Sequence, residues 1–179
     1  MALSQSDGPQ GERTAIPSLE RLTAVELFAL SRACLRELKR RGVVRSNNAP
    51  VGDLAEFLVQ RVTGGALADQ SQKSWDVRTP NGERLQVKAR IVTDPRKSGE
   101  RQLSVFRSWD FDAALIVLFD DEGRVWRAVR VPTATLRANA YPTPHVNGQV
   151  VYATDTLLNR PEVEDWTASL RRVAGEDWQ

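Results

Sequence analysis

The sequence holds a single cysteine, Cys34, and a single histidine, His145, among its 179 residues. One cysteine excludes an internal disulfide and a cysteine-built zinc site. Cys34 falls within a helical apolar pattern, which predicts a small core residue. One histidine leaves no partner for Ser-His-Asp, Cys-His or multi-histidine metal chemistry, and its neighbours Thr143-Pro144 and Asn147-Gly148 predict a turn. Long apolar runs are also missing. The longest, Ala113 to Phe119, is far short of the ~20 residues needed to cross a bilayer, so no membrane partner is expected. The first residues lack the basic-plus-apolar pattern of a secretory leader. These absences predict a reducing, cytoplasmic setting. There is no glycine-rich phosphate loop, and the five tryptophans are too scattered for a base-stacking platform. Any hydrolytic chemistry must therefore rest on carboxylates, amides and lysines.

Neither sign of charge dominates: 25 lysines and arginines stand against 23 aspartates and glutamates, a net charge of +2. The cations are clustered, however. Arg32 to Arg45 carries six basic residues and one acid, and Glu83 to Arg107 carries seven basic residues and three acids. Clustering of this kind suits a polyanion-facing side. It equally suits a solvated helix face followed by a basic loop.

Hydrophobic periodicity gives the elements. Residues 1–18 are rich in Gly, Pro, Ser and Gln and read as a disordered tail, leaving 19–179 as a single domain. Thr23 and Glu26 form a capping box, with Leu22 and Leu27 as its hydrophobic staple. Leu27, Phe28, Ser31, Cys34, Leu35 and Leu38 continue a helical stripe that closes at Gly42. A second helix follows Asn47-Asn48-Ala49, with Pro50 near its first position and Gly64-Gly65 at its end. The middle is β: Ser74 to Arg78, Leu85 to Ile91, Leu103 to Phe106, Ala113 to Phe119 and Val125 to Val131. The unalternating Ala113–Phe119 run suits a strand buried on both faces. A short helix over Thr133 to Asn139, a last strand near Val150 to Tyr152 and a helix beginning near Pro161 complete an α/β layer fold.

The hairpin between Ser74 and Ile91 concentrates the polar groups. Pro presets the first turn position and Gly takes the left-handed position, so Pro80-Asn81-Gly82 fits a three-residue loop. That loop pairs Thr79 with Glu83 and Asp76 with Gln86. Leu85, Val87, Ala89 and Ile91 then share the apolar face with Trp75 and Val77, and Asp76, Gln86 and Lys88 share the polar one. Asp76 is a hard oxygen ligand suited to Mg²⁺, which needs only one or two carboxylates. The Gln86 amide oxygen adds a neutral ligand, and Lys88 can orient water or offset charge on a phosphate. A solvated polar hairpin face would show the same alternation.

The string Ser74-Trp75-Asp76-Val77, a turn, then Leu85-Gln86-Val87-Lys88-Ala89-Arg90 resembles the PD-(D/E)XK nuclease superfamily. The segment Gly52-Asp53-Leu54-Ala55-Glu56 resembles that superfamily's preceding helix with its glutamate, and Trp109-Asp110-Phe111-Asp112 before an apolar run resembles the entry to its next core strand. Together these span Asn47 to Val131. Proline is absent before Asp76, and Gln86 replaces the second acid, a Gln-x-Lys form similar to Mrr-type endonucleases. The resemblance implies a restriction-endonuclease-like central mixed sheet flanked by helices. It also implies a Mg²⁺- or Mn²⁺-dependent deoxyribonuclease with Asp76, Gln86, Lys88 and Glu56 as catalytic residues, of which Asp76 and Gln86 hold the metal. The alternative implied by Gln86 is a nuclease-fold DNA-binding or protein-interaction module without catalysis. Glu56 lies ~200° around its helix from Leu54, opposite the apolar stripe, where a solvated glutamate is equally expected. Asp110 and Asp112 are second acids or strand caps. Gln70 and Gln72, just upstream of Asp76, are expected as ordinary loop polarity, with contact to a phosphate or base as the alternative. Arg96, Lys97 and Arg101 flank Ser98-Gly99 in an expected mobile basic loop, and with Arg90 and Arg107 they are the expected DNA contacts. Cleavage of both strands by one site per chain would call for a homodimer.

Overall fold

The computed structural model describes residues 18–45, 50–69, 74–94, 96–143 and 147–175. The N-terminal tail reading, and those for Gln70, Gln72 and His145, lie outside these residues. The chain divides into two compact units, Met1–Cys34 and Leu35–Gln179.

Helix α1 (Ala24–Arg40) runs across that division. It opens on the expected capping box: Thr23 N donates to Glu26 Oε2 at 2.8 Å, and Glu26 N donates to Thr23 Oγ1 at 3.3 Å. Its stripe does not become core. None of its residues is buried, Val25 and Phe28 are 78% and 69% exposed, and Cys34 is exposed rather than interior. Only near its end, at Leu38, does the helix join the hydrophobic cluster of the second unit.

Within that second unit, helix α2 (Val51–Thr63) is followed by strands β1 (Ala66–Leu67), β2 (Val77–Arg78) and β3 (Arg84–Ile91). Then come β4 (Ala113–Phe119), β5 (Val125–Pro132), helix α3 (Thr133–Ala138), the small strands β6 (Tyr141–Pro142) and β7 (Gln149–Val150), helix α4 (Asp155–Leu158), β8 (Glu164–Asp165) and helix α5 (Thr167–Ala174). The main sheet has six strands in the order β1-β2-β3-β4-β5-β8. It is mixed: β3 and β4 are parallel, and the other neighbours are antiparallel. A central mixed sheet flanked by helices is the fold class expected from sequence.

Strand β4 is buried along its whole length and divides the interior in two. Ala113, Leu115, Val117 and Phe119 face a core with Phe57 and Leu58 of α2 and Leu170 of α5. Ala114, Ile116 and Leu118 face a second core with Leu103, Phe106, Leu136 of α3 and Leu157 of α4. This is period two with both faces covered, which is why the sequence runs apolar without alternating.

The hairpin has the expected register. Val77 pairs with Leu85 and Arg78 with Arg84, which sets Asp76 across from Gln86. Thr79 N bonds Glu83 O at 2.9 Å, and Gly82 holds a φ of +87° in the turn. Gly65 is required for a different reason. A Cβ there would lie 2.5 Å from the carbonyl oxygen of Arg78, where β1 enters the sheet. Gly65→Ala is expected to cost about 1–3 kcal/mol, read as a lower denaturation midpoint with an unchanged m-value.

Several elements differ from expectation. The strand over Ser74 to Arg78 shortens to Val77–Arg78 because the chain bends at Asp76. The bend sends Trp75 into the second core while Val77 stays in the first. Ile91 is 49% exposed and lies outside the core. Leu103 to Phe106 forms no ladder, and its flanks make single bridges, Gln102 to Tyr152 and Phe106 to Gln149. The last helix begins at Thr167 instead of near Pro161, since Glu164–Asp165 pairs with β5 as an edge strand. Among the described residues no helix is long and apolar enough to cross a membrane.

Candidate active site

Strand β3 carries Gln86 and Lys88 on one face, beside the point where β2 bends away. Asp76, at that bend, turns its carboxylate toward β3. Its Oδ2 accepts from Val87 N at 2.6 Å and from the Gln86 amide. The Asp76 backbone stays tied on both sides, its N–H donating to Leu85 O and its carbonyl accepting from Ala68 N, both at 2.8 Å, while its side chain reaches backbone and side chain on β3. Gln86 is 9% exposed.

Lys88 is partly buried. Its Nζ lies 3.3 Å from the Val105 carbonyl oxygen, to which it donates, and 4.8 Å from the centre of the Phe106 ring. A carbonyl and an aromatic face are what a desolvated ammonium needs. The segment ending at Phe106 is thus the floor under Lys88.

Glu56 comes from α2 and is not solvated. Its side chain is 17% exposed and ion-paired to Arg45, whose own N–H donates to Asp53 Oδ2 and whose Nη1 donates to Ala68 O, both at 2.8 Å. The face of α2 opposite its apolar stripe is therefore covered by the chain around Arg45 and Ala68. Arg45 is the member of this cluster that sequence reasoning missed, since it reads as the last member of a basic run.

Asp76, Glu56 and Lys88 lie within range of one another's charge. Burial pushes the Asp76 carboxyl up, against the lowering effect of Val87 N–H, Lys88, Gln86 and Arg45. Burial also pushes Glu56 up, the Asp76 charge pushes it further, and Arg45 opposes both. Burial pushes Lys88 down, Arg107 adds to this, and Asp76 and Glu56 oppose it. Two carboxyls shifted up and an amine shifted down, each chiefly by burial and each within range of the others' charge, form the kind of cluster that catalysis uses. The same four charges also make a balanced set: two carboxylates, one guanidinium, one ammonium. No family model and no curated protein matches this chain.

Hard-cation chemistry can be tested on the donor atoms. Among the described residues no three His, Cys, Asp or Glu side chains group as a metal cage. Asp76 Oδ1 and Glu56 Oε1 nevertheless accept no hydrogen bond from any described residue, so each half-buried carboxylate keeps one oxygen that could serve a cation. That meets the low demand of Mg²⁺, which keeps most of its waters. Gln86 departs from expectation here, because its amide N–H, not its oxygen, faces Asp76. As a co-ligand it would have to present the other end of the amide.

The remaining candidates separate. Asp112 accepts Arg84 N at 2.8 Å and Asp110 pairs with Arg84 at 2.5 Å, so both cap the β3 entrance and neither joins the site. Arg90 and Arg107 are exposed, and Arg107 is close enough to depress Lys88. The stretch expected as a mobile basic loop is a built turn. Ser98–Arg101 is a 3₁₀ helix, and Glu100 takes the N–H groups of Thr93 and Asp94 at 2.7 and 2.9 Å. Arg96 pairs with Asp94 and Lys97 with Glu100, both remaining on the surface. Arg101 does not face solvent. Its side chain is 9% exposed, bonded to Asp155 at 2.7 Å and set over the Trp126 ring at 5.2 Å, so its expected role as a phosphate contact gives way to one as an internal anchor.

Proposed function

We propose that this chain binds DNA in the cytoplasm and hydrolyses its phosphodiester bonds with Mg²⁺ or Mn²⁺. The observation that carries the reading is the meeting of Asp76, Glu56, Gln86 and Lys88, from the bend before β2, strand β3 and helix α2, in one partly buried cluster in which Asp76 accepts from Gln86 and Val87. Asp76 Oδ1 and Glu56 Oε1, with the Gln86 amide, would hold the ion, which when bound would supply a Lewis acid and a more acidic water. Lys88, fixed by Val105 and Phe106, offsets charge growing on the phosphate, and its fixed position removes the need to reorganise during the reaction. Arg45 keeps Glu56 ionised and oriented.

The test is divalent-dependent nicking of supercoiled plasmid. Wild-type chain is expected to nick with Mg²⁺ or Mn²⁺ and not with EDTA, and Lys88→Ala is expected to lose this. Equal nicking by both proteins would sink the reading.

Metal affinity gives a separate measurement. Gln86→Glu adds a carboxylate beside Asp76, and hard cations prefer carboxylate to amide oxygen. Calorimetry is expected to show tighter Mg²⁺ binding by this variant, while the rate can move either way, since ground-state affinity need not stabilise the transition state.

DNA affinity is expected to fall steeply with salt as phosphate contacts release counterions. Arg90→Ala with Arg107→Ala should flatten the slope by up to about two phosphate equivalents. Arg96→Ala with Lys97→Ala should flatten it less, because both cations already face acids within their turn.

A second reading has its own observation. Gln86 N–H satisfies Asp76, and Arg45 and Lys88 neutralise the two carboxylates. A site already bonded and balanced is what a DNA-binding module without catalysis would keep. Salt-dependent binding without divalent-dependent nicking would select it.

A further inference from the structure

A cavity of about 570 Å³ in the second unit shares no described lining residue with the Asp76 cluster. Its polar lining is Gln102, Asn139, Tyr141, Thr143, Tyr152 and Thr154. None of the described lining residues is charged. They suit a neutral group with hydrogen-bonding edges and apolar faces, because an ion would be desolvated against them without a counter-charge. Pockets of this size and mixed lining are typical of small-ligand sites.

The aromatic pair sets the shape of that group. Tyr141 and Tyr152 stand at 72° with their centres 6.2 Å apart, so the ring faces are not stacked on each other. Tyr141 lines the cavity and is 61% exposed, so its ring is left uncovered enough to serve a planar partner. The Tyr152 hydroxyl donates to Gln102 Oε1 at 3.2 Å, which fixes the amide at the cavity wall. Amides and hydroxyls around a planar slot are the groups that read the edges of nucleobases.

The cavity also sits close to the candidate active site along the chain. Gln102 lines it, and Val105, three residues on, accepts from Lys88. Three residues span at most about 11 Å, and bases along one strand of duplex DNA are spaced about 3.4 Å apart. A base roughly three steps from a phosphate at Lys88 is therefore within reach of the cavity.

We propose that this cavity takes a nucleobase from the strand bound at the Asp76 site, stacked on Tyr141 and read by the Gln102 amide. The source of the base rests on the nuclease reading, whereas the chemical class of occupant rests on the cavity alone.

The experiment uses the full chain in EDTA. A short single-stranded oligonucleotide carrying 2-aminopurine is titrated with protein, and free adenosine, guanosine, cytidine and thymidine are titrated separately by NMR. The oligonucleotide's fluorescence should quench on binding, and at least one nucleoside should bind in the millimolar range. Tyr141→Ala, which changes an exposed side chain, should remove the quench and weaken the oligonucleotide on the order of ten-fold. Gln102→Leu should change which nucleoside binds best. If Tyr141→Ala and Gln102→Leu both behave as wild type, the cavity proposal is overturned, and divalent-dependent nicking can still hold. Nucleoside binding that depends on Tyr141, found in a protein that neither nicks plasmid nor holds the oligonucleotide, supports the cavity proposal and removes the nuclease reading instead.

Discussion

Asp76→Asn is expected to abolish divalent-dependent nicking, by at least 10²–10³-fold on the order of single-group losses in preorganised sites, while leaving the protein as stable as before or more so. The two effects share one cause. Burial raises the Asp76 pKa above its ordinary 3.8, so the folded chain binds this proton more tightly than the unfolded chain does. For a raised acid, stability falls as pH rises through the window between the ordinary and the shifted value, and stays at the lower level above it. The neutral amide removes that loss. Its oxygen can still accept the Val87 N–H, which the native carboxylate holds at 2.6 Å. Thermal melts of both proteins from pH 3 upward check this: the wild-type curve should drop relative to the variant with rising pH and then run parallel. A variant that is much less stable at neutral pH would mean that Asp76 is there for the fold.

Leu115→Ala should have the largest effect on stability, about 2–5 kcal/mol. Leu115 is fully buried in β4 and is covered by α2 and α5, so the space it leaves cannot be refilled from solvent. Domains of this kind have roughly 5–15 kcal/mol in total, and the loss would be visible as a large shift in urea midpoint. A shift below about 1 kcal/mol would mean that the two cores repack around the site far more easily than their burial suggests.

Legibility from sequence followed the range of the interactions. β4 could be read to the residue because its burial on two faces is written in an unbroken apolar run. The hairpin register was legible too, since Pro80-Asn81-Gly82 and the alternation of β3 demand the same pairing. What failed depended on distant partners. Arg101 reads as a loop cation, and only Asp155, far along the chain, and Trp126 make it an interior one. Glu56 sits on the outer face of its own helix, but Arg45 closes over that face. Trp75 changes layer because of a single bend, which no periodicity announces. Cys34 fits a helical stripe that finds no burial among the described residues. Asp76, Gln86 and Lys88 come together as the alternation predicts. The orientation of the Gln86 amide, on which metal ligation turns, is set by one hydrogen bond and leaves no mark in the sequence.

The placement of β4 has one more consequence, for behaviour at high concentration. A seven-residue, uncharged apolar strand is the kind of segment that stacks between chains into cross-β aggregates when it is exposed. Here β3 and β5 occupy both of its hydrogen-bonding edges, so neither edge is offered to another molecule. Acids stand at either end, Asp110 and Asp112 before the strand and Asp120, Asp121 and Glu122 after it. In the unfolded chain, where neighbouring strands give no cover, those charges are the remaining protection, because like-charged flanks repel as identical segments come into register. The residues that cap and turn the strand in the folded protein thus also act as gatekeepers before it folds.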